Sequence, residues 1–373
     1  MLRVSVIAPD GKPLMPTKIS RANKWIKQGK ANRVYNDIQA FQVQLVAEPS
    51  GRETQAIAIG IDPGKLYTGI GVQSSVFTLW MAHLVLPFQT VKERMEQRRM
   101  MRRGRRGRRI NRKLPYNQRA HRQVRFNNRK HKKVPPSIRA NRQLELRIVK
   151  ELCKLYPIIC VVYEVVVARG DQGFSPVMVG QYWMLEQLRQ LLPIQTRLGW
   201  QTANLRDWLN LSKQKTSKSD AIPVTHAVDG VTLATSYFIQ WQPWVSGNAR
   251  GGNWVGEAQI TASPFSVIRR PPISRRQLHL MVFAKGGIRR KYGGTTTRHG
   301  VRKGDFVSAE MARRIVYGWV SGDTKRQISV SDINWKRLGQ FTARKVQLLQ
   351  RSTGLLVKPH PGLSILPPLR GSN

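Results

Sequence analysis

The chain has 373 residues, 64 Lys+Arg against 20 Asp+Glu, and a formal net charge of +44 at pH 7. A compact body with that surplus repels itself and calls for a bound polyanion; a duplex of about 20 base pairs carries about 40 phosphates. No run of ~18 apolar residues offers a membrane span, the N-terminal residues lack a signal peptide's apolar core, and two cysteines are too few for a zinc ribbon.

Residues 1–54 read as a small unit. "RVSVIA" and "AFQVQLVAE" alternate like strands, and "SRANKWIKQGKA" between them reads as a short helix capped by Ser20. Three strand-like runs follow, "QAIAIGID", "YTGIGVQ" and "VFTLWMAHLVL", parted by Pro63-Gly64 and Ser74-Ser75. They predict an antiparallel meander with Asp62 ending its first strand. From residue 91 the composition turns basic, and residues 98–113 hold ten Arg/Lys in sixteen positions. Such a block gives a helix no apolar face, and Gly104 and Gly107 weaken it further. Basic blocks are commonly disordered tails. This one lies between two core-like segments, which points to an element ordered by phosphates.

"RANRQLELRIVKELCKLY" reads as a helix leading into "PIICVVYEVVV", a near-continuous apolar run of the kind found in a strand buried on both faces. Cys153 and Cys160 lie in these stretches and read as small core residues of a reducing compartment. "VMVGQYWMLEQLRQLL" and residues 219–238 read as two further helices, the second capped by Ser219 or Asp220 with Pro223 in its first turn. Residues 241–272, rich in Gly, Pro, Ser and Trp, read as an irregular linker. Residues 273–373 read as a β-rich basic domain with "LHLMVFAKGG", "VRKGDFVSAE" and "RIVYGWVSGD" as strands.

Acids in apolar surroundings are few. Asp62 closes a strand, Glu164 sits inside "CVVYEVVV", and Asp229 lies three residues after His226 on one helix face. Each alone has a structural reading as a cap, a turn or a buried ion pair, and a lone helical His is usually a core residue. Together, three such acids would destabilise a core unless a cation holds them. Hard divalent ions take oxygen ligands, and two of them ~4 Å apart stabilise both the attacking and the leaving oxygen of phosphodiester hydrolysis. Asp62 is the candidate bridging ligand, Glu164 and Asp229 the outer ones, and His226 a ligand or the group orienting water. Glu151 and Glu186 sit among polar neighbours and are weaker candidates.

"IGIDPGKLYTGIGV", "VVYEVV" and "HAVDG" resemble the three split segments of a RuvC-type nuclease domain. "GKPLMPT" is similar to the PLMP motif of IscB-type proteins, and the Arg-rich block falls where that family has its bridge helix. "RRQLHLMVFAKGGIRRKYGGT" and "TRHGVRKGDFVSAE" are similar to the region with which the family reads a short motif beside its target. The resemblance implies an α/β fold: an RNase H-like (RuvC) core in segments 55–90, 136–218 and 219–240. Around it come a PLMP domain at 1–54, an Arg-rich bridge helix and basic linker at 91–135, and a target-adjacent-motif-interacting domain at 241–373. IscB proteins carry an HNH nuclease between the second and third segments. Here no histidine lies between Glu164 and His226 to serve as its general base, and the roughly sixty residues suit a helix or two. The chain therefore resembles IsrB, the HNH-less relatives of IscB.

That resemblance implies a monomeric protein in a ribonucleoprotein with a long structured guide (omega) RNA. It would bind double-stranded DNA and nick the non-target strand with two Mg²⁺ ions, Mn²⁺ being a substitute. Its expected location is the cytoplasm of a prokaryotic cell, at the nucleoid when on DNA. Pairing with the guide would supply sequence specificity. Phosphate contacts are expected from Arg98, Arg99, Arg102, Arg103, Arg105, Arg106, Arg108, Arg109, Arg112 and Lys113. Arg289, Arg290, Lys291 and Tyr292 are candidates for the flanking duplex, with a solvated turn as their plainer reading. Two other functions stay open. One is an unguided RuvC-like resolvase or RNase, which would cut branched DNA without RNA. The other is an RNA-binding protein with an inactive RNase H fold. The TnpB family, similar in having one RuvC site, normally carries a zinc-binding cysteine cluster, which two cysteines do not supply.

Overall fold

In the computed structural model, the described residues are 2–87, 95–97, 99–104, 111–118, 134–167, 175–211, 223–272, 297–311 and 314–359. The N-terminal unit is β1 (Arg3–Ile7), β2 (Pro13–Lys18), α1 (Ile19–Lys27), β3 (Ala31–Val34) and β4 (Gln42–Leu45), forming a sheet of order β2-β1-β4-β3. Val4, Val6, Leu14, Ala22 and Val43 close its core. Ser20 does not cap the helix. β2 runs directly into α1, the N-cap position falls on Lys18 in extended conformation with no side-chain cap bond, and Ser20 sits inside the first turn.

The central sheet begins with the expected meander of β5 (Ile57–Pro63), β6 (Tyr67–Ser74) and β7 (Thr78–Val85). After it come α2 (Pro136–Leu155), β8 (Cys160–Val165), α3 (Pro176–Arg189), β9 (Ile194–Leu198), α4 (Gly199–Trp208) and α5 (Pro223–Thr235). β8 pairs parallel with β5, and β9 with β8. Residues 241–272 are not an irregular linker. β10 (Ile239–Ser246) and β11 (Ala249–Gly256) pair along their whole length as a two-stranded ribbon, and β12 (Phe265–Arg269) adds parallel to β7. Glycines suppressed the strand signal, yet they make the ribbon possible. A Cβ on Gly251 would meet the Trp244 ring at 2.5 Å, and one on Gly252 would run into the Trp241 ring.

A second, antiparallel sheet holds β13 (Phe306–Met311), β14 (Arg314–Asp323), β15 (Gln327–Ser331), β16 (Arg337–Thr342) and β17 (Val346–Gln350), in the order β16-β15-β14-β13-β17. The chain then returns through β18 (Leu356–Pro359) to the edge of the central sheet, whose order is β18-β12-β7-β6-β5-β8-β9. That sheet therefore draws two strands from beyond residue 240. Cys153 and Cys160 are free thiols, Cys160 buried, and burial pushes the Cys153 thiol up to about 11. "LHLMVFAKGG", Ser219, Asp220 and residues 289–292 lie outside the described residues.

Strand alternation sorts β5 into two faces. Ile57, Ile59 and Ile61 join Leu144, Ile148 and Leu152 of α2 in the main core, while Gly60 and Asp62 face the other way, toward α5. On the α2 side one charged group is wholly buried. Arg142 Nη1 donates to both carboxylate oxygens of Glu145 at 2.6 and 2.8 Å, and Thr68 Oγ1 donates to Glu145 Oε1 at 2.6 Å. Burial opposes the Arg142 charge, but Glu145, with Tyr163 and Asp62 adding, outweighs it and raises the guanidinium above its ordinary value. Removing one member strands the other in a low dielectric. Glu145→Leu is expected to cost about 3 kcal/mol, with Arg142→Met/Glu145→Leu recovering most of it. Urea midpoints of the two variants check this, and equal losses in both would contradict it.

Candidate active site

Asp62 and Glu164 end neighbouring strands. β5 and β8 run parallel with Ile61 opposite Tyr163, and Asp62 and Glu164 are the next residue on each. The two carboxyl groups thus share the C-terminal edge of a parallel pair, where open α/β sheets place their ligand crevices. Both are partly exposed, unlike the fully buried run before them.

α5 reaches this edge because the sheet beneath it has no side chains. A Cβ on Gly60 would collide with the carbonyl oxygen of Gly230, one on Gly69 with that of His226, and one on Gly71 would lie 2.5 Å from the Val231 amide. Gly60, Gly69 and Gly71 come from the stretch "GIDPGKLYTGIGV", with Gly60 opposite Gly71 and Asp62 opposite Gly69. Helix backbone therefore rests on strand backbone, and His226 and Asp229 arrive on the Asp62 side of the sheet.

α4 supplies the polar partners. Thr202 Oγ1 donates to Glu164 Oε2 at 2.6 Å, and Arg206 Nη1 donates to Asp229 Oδ1 at 2.7 Å. Asp229 is 3% exposed, so its ion pair with Arg206 is a desolvated one. Thr202 and Arg206 lie one turn apart on the same helix face. Among the described residues, no three His, Cys, Asp or Glu converge closely enough to hold one ion. The candidate donors are carboxylates with no sulfur among them, the kind of ligand a hard divalent cation takes.

His226 has a partner that the sequence reading passed over. His83 on β7 lies beside Gly69 in register, and its Nδ1 is 3.1 Å from His226 Nδ1 with the rings 4° from parallel. One nitrogen donates and the other accepts. Tyr67 packs on both rings, at 4.8 and 5.5 Å between centroids. Burial, and then the charge on His226, pulls the His83 imidazole down to about 3. Between the ordinary value of about 6.5 and that value, the unfolded chain takes up a proton that the folded chain refuses. Stability therefore drops as the pH is lowered below about 6.5, by about 1.4 kcal/mol per unit from this group. In EDTA, lowering the pH from 7 to 5 is expected to cost the parent about 2 kcal/mol more than His83→Phe, read from urea unfolding. Parallel losses would contradict it.

Thr202 and Arg206 are likewise unmarked by any motif. Their four-residue spacing in "GWQTANLRDW" was available, but nothing in the sequence tied that helix to the carboxylates. His83, a lone polar residue in "WMAHLVL", carried the same signal that singled out Asp62. Glu151 pairs with Lys154 at 2.9 Å, and Glu186 lies on an exposed helix position, neither at the site. In the basic block, residues 99–104 are helical with Arg99, Arg102 and Arg103 exposed, and Arg112 and Lys113 are exposed beyond it. Arg98, Arg105, Arg106, Arg108 and Arg109 lie outside the described residues.

The sequence profile of a family described as RRXRR protein matches residues 4–171. Arg102-Arg103-Gly104-Arg105-Arg106 spells that pattern, and Arg105 to Arg109 repeats it in overlap. No curated protein matches the chain. Among solved structures, T. thermophilus RuvC in complex with Holliday junction substrate is similar at a TM-score of 0.27 and 12% identity, covering 49% of this chain and 92% of that one. The Thermus thermophilus RuvC structure is similar at 0.22 and 12%, covering 48% and 92%. No described helix is long and apolar enough to cross a membrane.

Proposed function

We propose that the chain is an RNA-guided DNA nickase with a single phosphodiester-cleaving site of the RNase H type. One observation carries the reading: a glycine floor lets α5, which bears His226 and Asp229, pack its backbone on the β5–β6 pair, and Asp62 and Glu164 end the parallel strands β5 and β8. The +44 charge and the exposed arginines of residues 99–104 support a large nucleic-acid partner.

Asp62, Glu164 and Asp229 would hold Mg²⁺, with His226 beside them. A bound divalent ion supplies charge stabilisation at the phosphodiester and an activated water. The chain's own residues set the frame around that chemistry. Arg206 and Thr202 fix the orientations of Asp229 and Glu164, and Arg142 holds Glu145 and a positive charge behind Asp62. His83 stays neutral and so fixes one Nδ1 of the pair as donor and the other as acceptor, which orients the His226 ring. The guide would read sequence, and the arginine helix and the β13–β17 sheet would bind backbone and flanking duplex.

Sequencing the RNA that co-purifies with the full chain tests the guided part of this reading. A discrete long RNA is expected, with binding to it falling steeply as salt rises. Clean cutting of branched DNA by RNA-free protein would favour an unguided resolvase instead.

A further inference from the structure

The β10–β11 ribbon and the start of α4 carry an aromatic surface with no role in the acid cluster. Trp254 is buried at the ribbon's base, where its Nε1 donates to Asn204 Oδ1 of α4 at 2.7 Å. Trp241 sits directly opposite it and packs edge-on at 5.1 Å between centroids. Trp200 lies 6.5 Å beyond Trp241, at 83° to it, and is 56% exposed. On the other face of the ribbon Trp244 lies over Gly251 and is 45% exposed. The ring lies so close to Gly251 that a Cβ there would meet it at 2.5 Å.

This surface adjoins the candidate site. Gly199, next to Trp200, would place a Cβ 3.4 Å from Glu164 Oε1. Residues 239–256 contain no Asp or Glu in a chain with a surplus of 44 positive charges. In a chain with so large a positive surplus, a polyanion is the expected partner, and apolar rings beside the carboxylate-bearing edge add a surface for its uncharged parts. Such rings suit the flat bases of an extended polynucleotide, on which aromatic side chains stack regardless of sequence.

We propose that Trp200, backed by Trp241, forms a stacking platform for single-stranded nucleotides entering or leaving the candidate site. The proposal rests on the nuclease reading of that site and names the form of its substrate: a strand with its bases free.

The test compares a short oligothymidylate with an abasic oligonucleotide of the same length. Both carry the same phosphates, and only one carries bases. Binding to the full chain is measured by fluorescence anisotropy in EDTA, at salt high enough to screen non-specific phosphate contacts. The parent is expected to prefer the base-bearing strand about tenfold. Trp200→Ala is expected to erase the preference, Trp200→Phe to keep it, and Trp244→Ala, on the opposite face of the ribbon, to leave it unchanged. Equal binding of both strands by the parent, or a preference that survives Trp200→Ala, would overturn the platform. Cleavage is not needed for this readout. Failure of the nuclease reading would show as absent cleavage with the preference intact, whereas failure of the platform would show as absent preference with Asp62-dependent cleavage intact.

Discussion

Asp62→Ala is expected to lower DNA strand cleavage by about a thousandfold or more while leaving RNA affinity within about twofold. The magnitude follows from the charge stabilisation a bound divalent ion lends to phosphoryl chemistry, several kcal/mol at about 1.4 kcal/mol per tenfold in rate. Asp62 is the carboxylate of the set that lies on β5, next to Glu164 on the parallel strand and opposite Gly69, over which His226 sits. It is partly exposed and ends its strand, so its removal leaves the buried rows of the sheet intact. A melting temperature close to the parent's would show that the loss is chemical. Cleavage by Asp62→Ala at the parent's rate would place the cutting site elsewhere.

Gly69→Ala is expected to destabilise the chain by upward of about 4 kcal/mol, through a methyl group with no exposed alternative. Its Cβ would collide with the carbonyl oxygen of His226 and lie within contact of the Ala227 amide, which are backbone atoms that cannot rotate away. The helix would have to lift from the sheet, taking Ala227, Val228 and Val231 out of their packing with Met81 and Phe265. Core overpacking usually costs 1–3 kcal/mol, and larger losses mark a clash that cannot relax. A fall of about 10 °C in melting temperature is expected. Gly104→Ala is the control. Among the described residues no heavy atom lies within 4 Å of a Cβ there, and the residue is helical, so alanine should be neutral or stabilising by up to about 1 kcal/mol. Equal melting of the parent and Gly69→Ala would contradict backbone-on-backbone packing.

The glycines show how far sequence reading reaches. "GIDPGKLYTGIGV" announced a strand, a turn and a strand, and Asp62 stood out as a charge ending an apolar run. Nothing near Gly60, Gly69 and Gly71 in the sequence marks them, because what they make room for, α5, lies more than 150 residues away. The ribbon of β10 and β11 was misread for a related reason. Its glycines lower strand propensity one by one, and the tryptophan rings that cover them belong to the facing strand. Local pattern singled out Asp62, Glu164, His226 and Asp229, and α4, a helix that no motif marks, holds two of their carboxylates. Arg206 and Thr202 reach them only after α4 docks beside α5 and β8. His83 was legible by the rule that exposed Asp62, since a lone histidine in an apolar strand needs a partner as much as a carboxylate does.

One assay bears most directly on a single cutting site under guide control. The full chain, purified with its bound RNA, is given Mg²⁺ and a supercoiled plasmid carrying the sequence complementary to that RNA's guide segment. The expected product is relaxed circle cut on one strand, dependent on the matching sequence, on Mg²⁺ and on Asp62. Linear plasmid, cutting without the RNA, or equal relaxation by Asp62→Ala would contradict it.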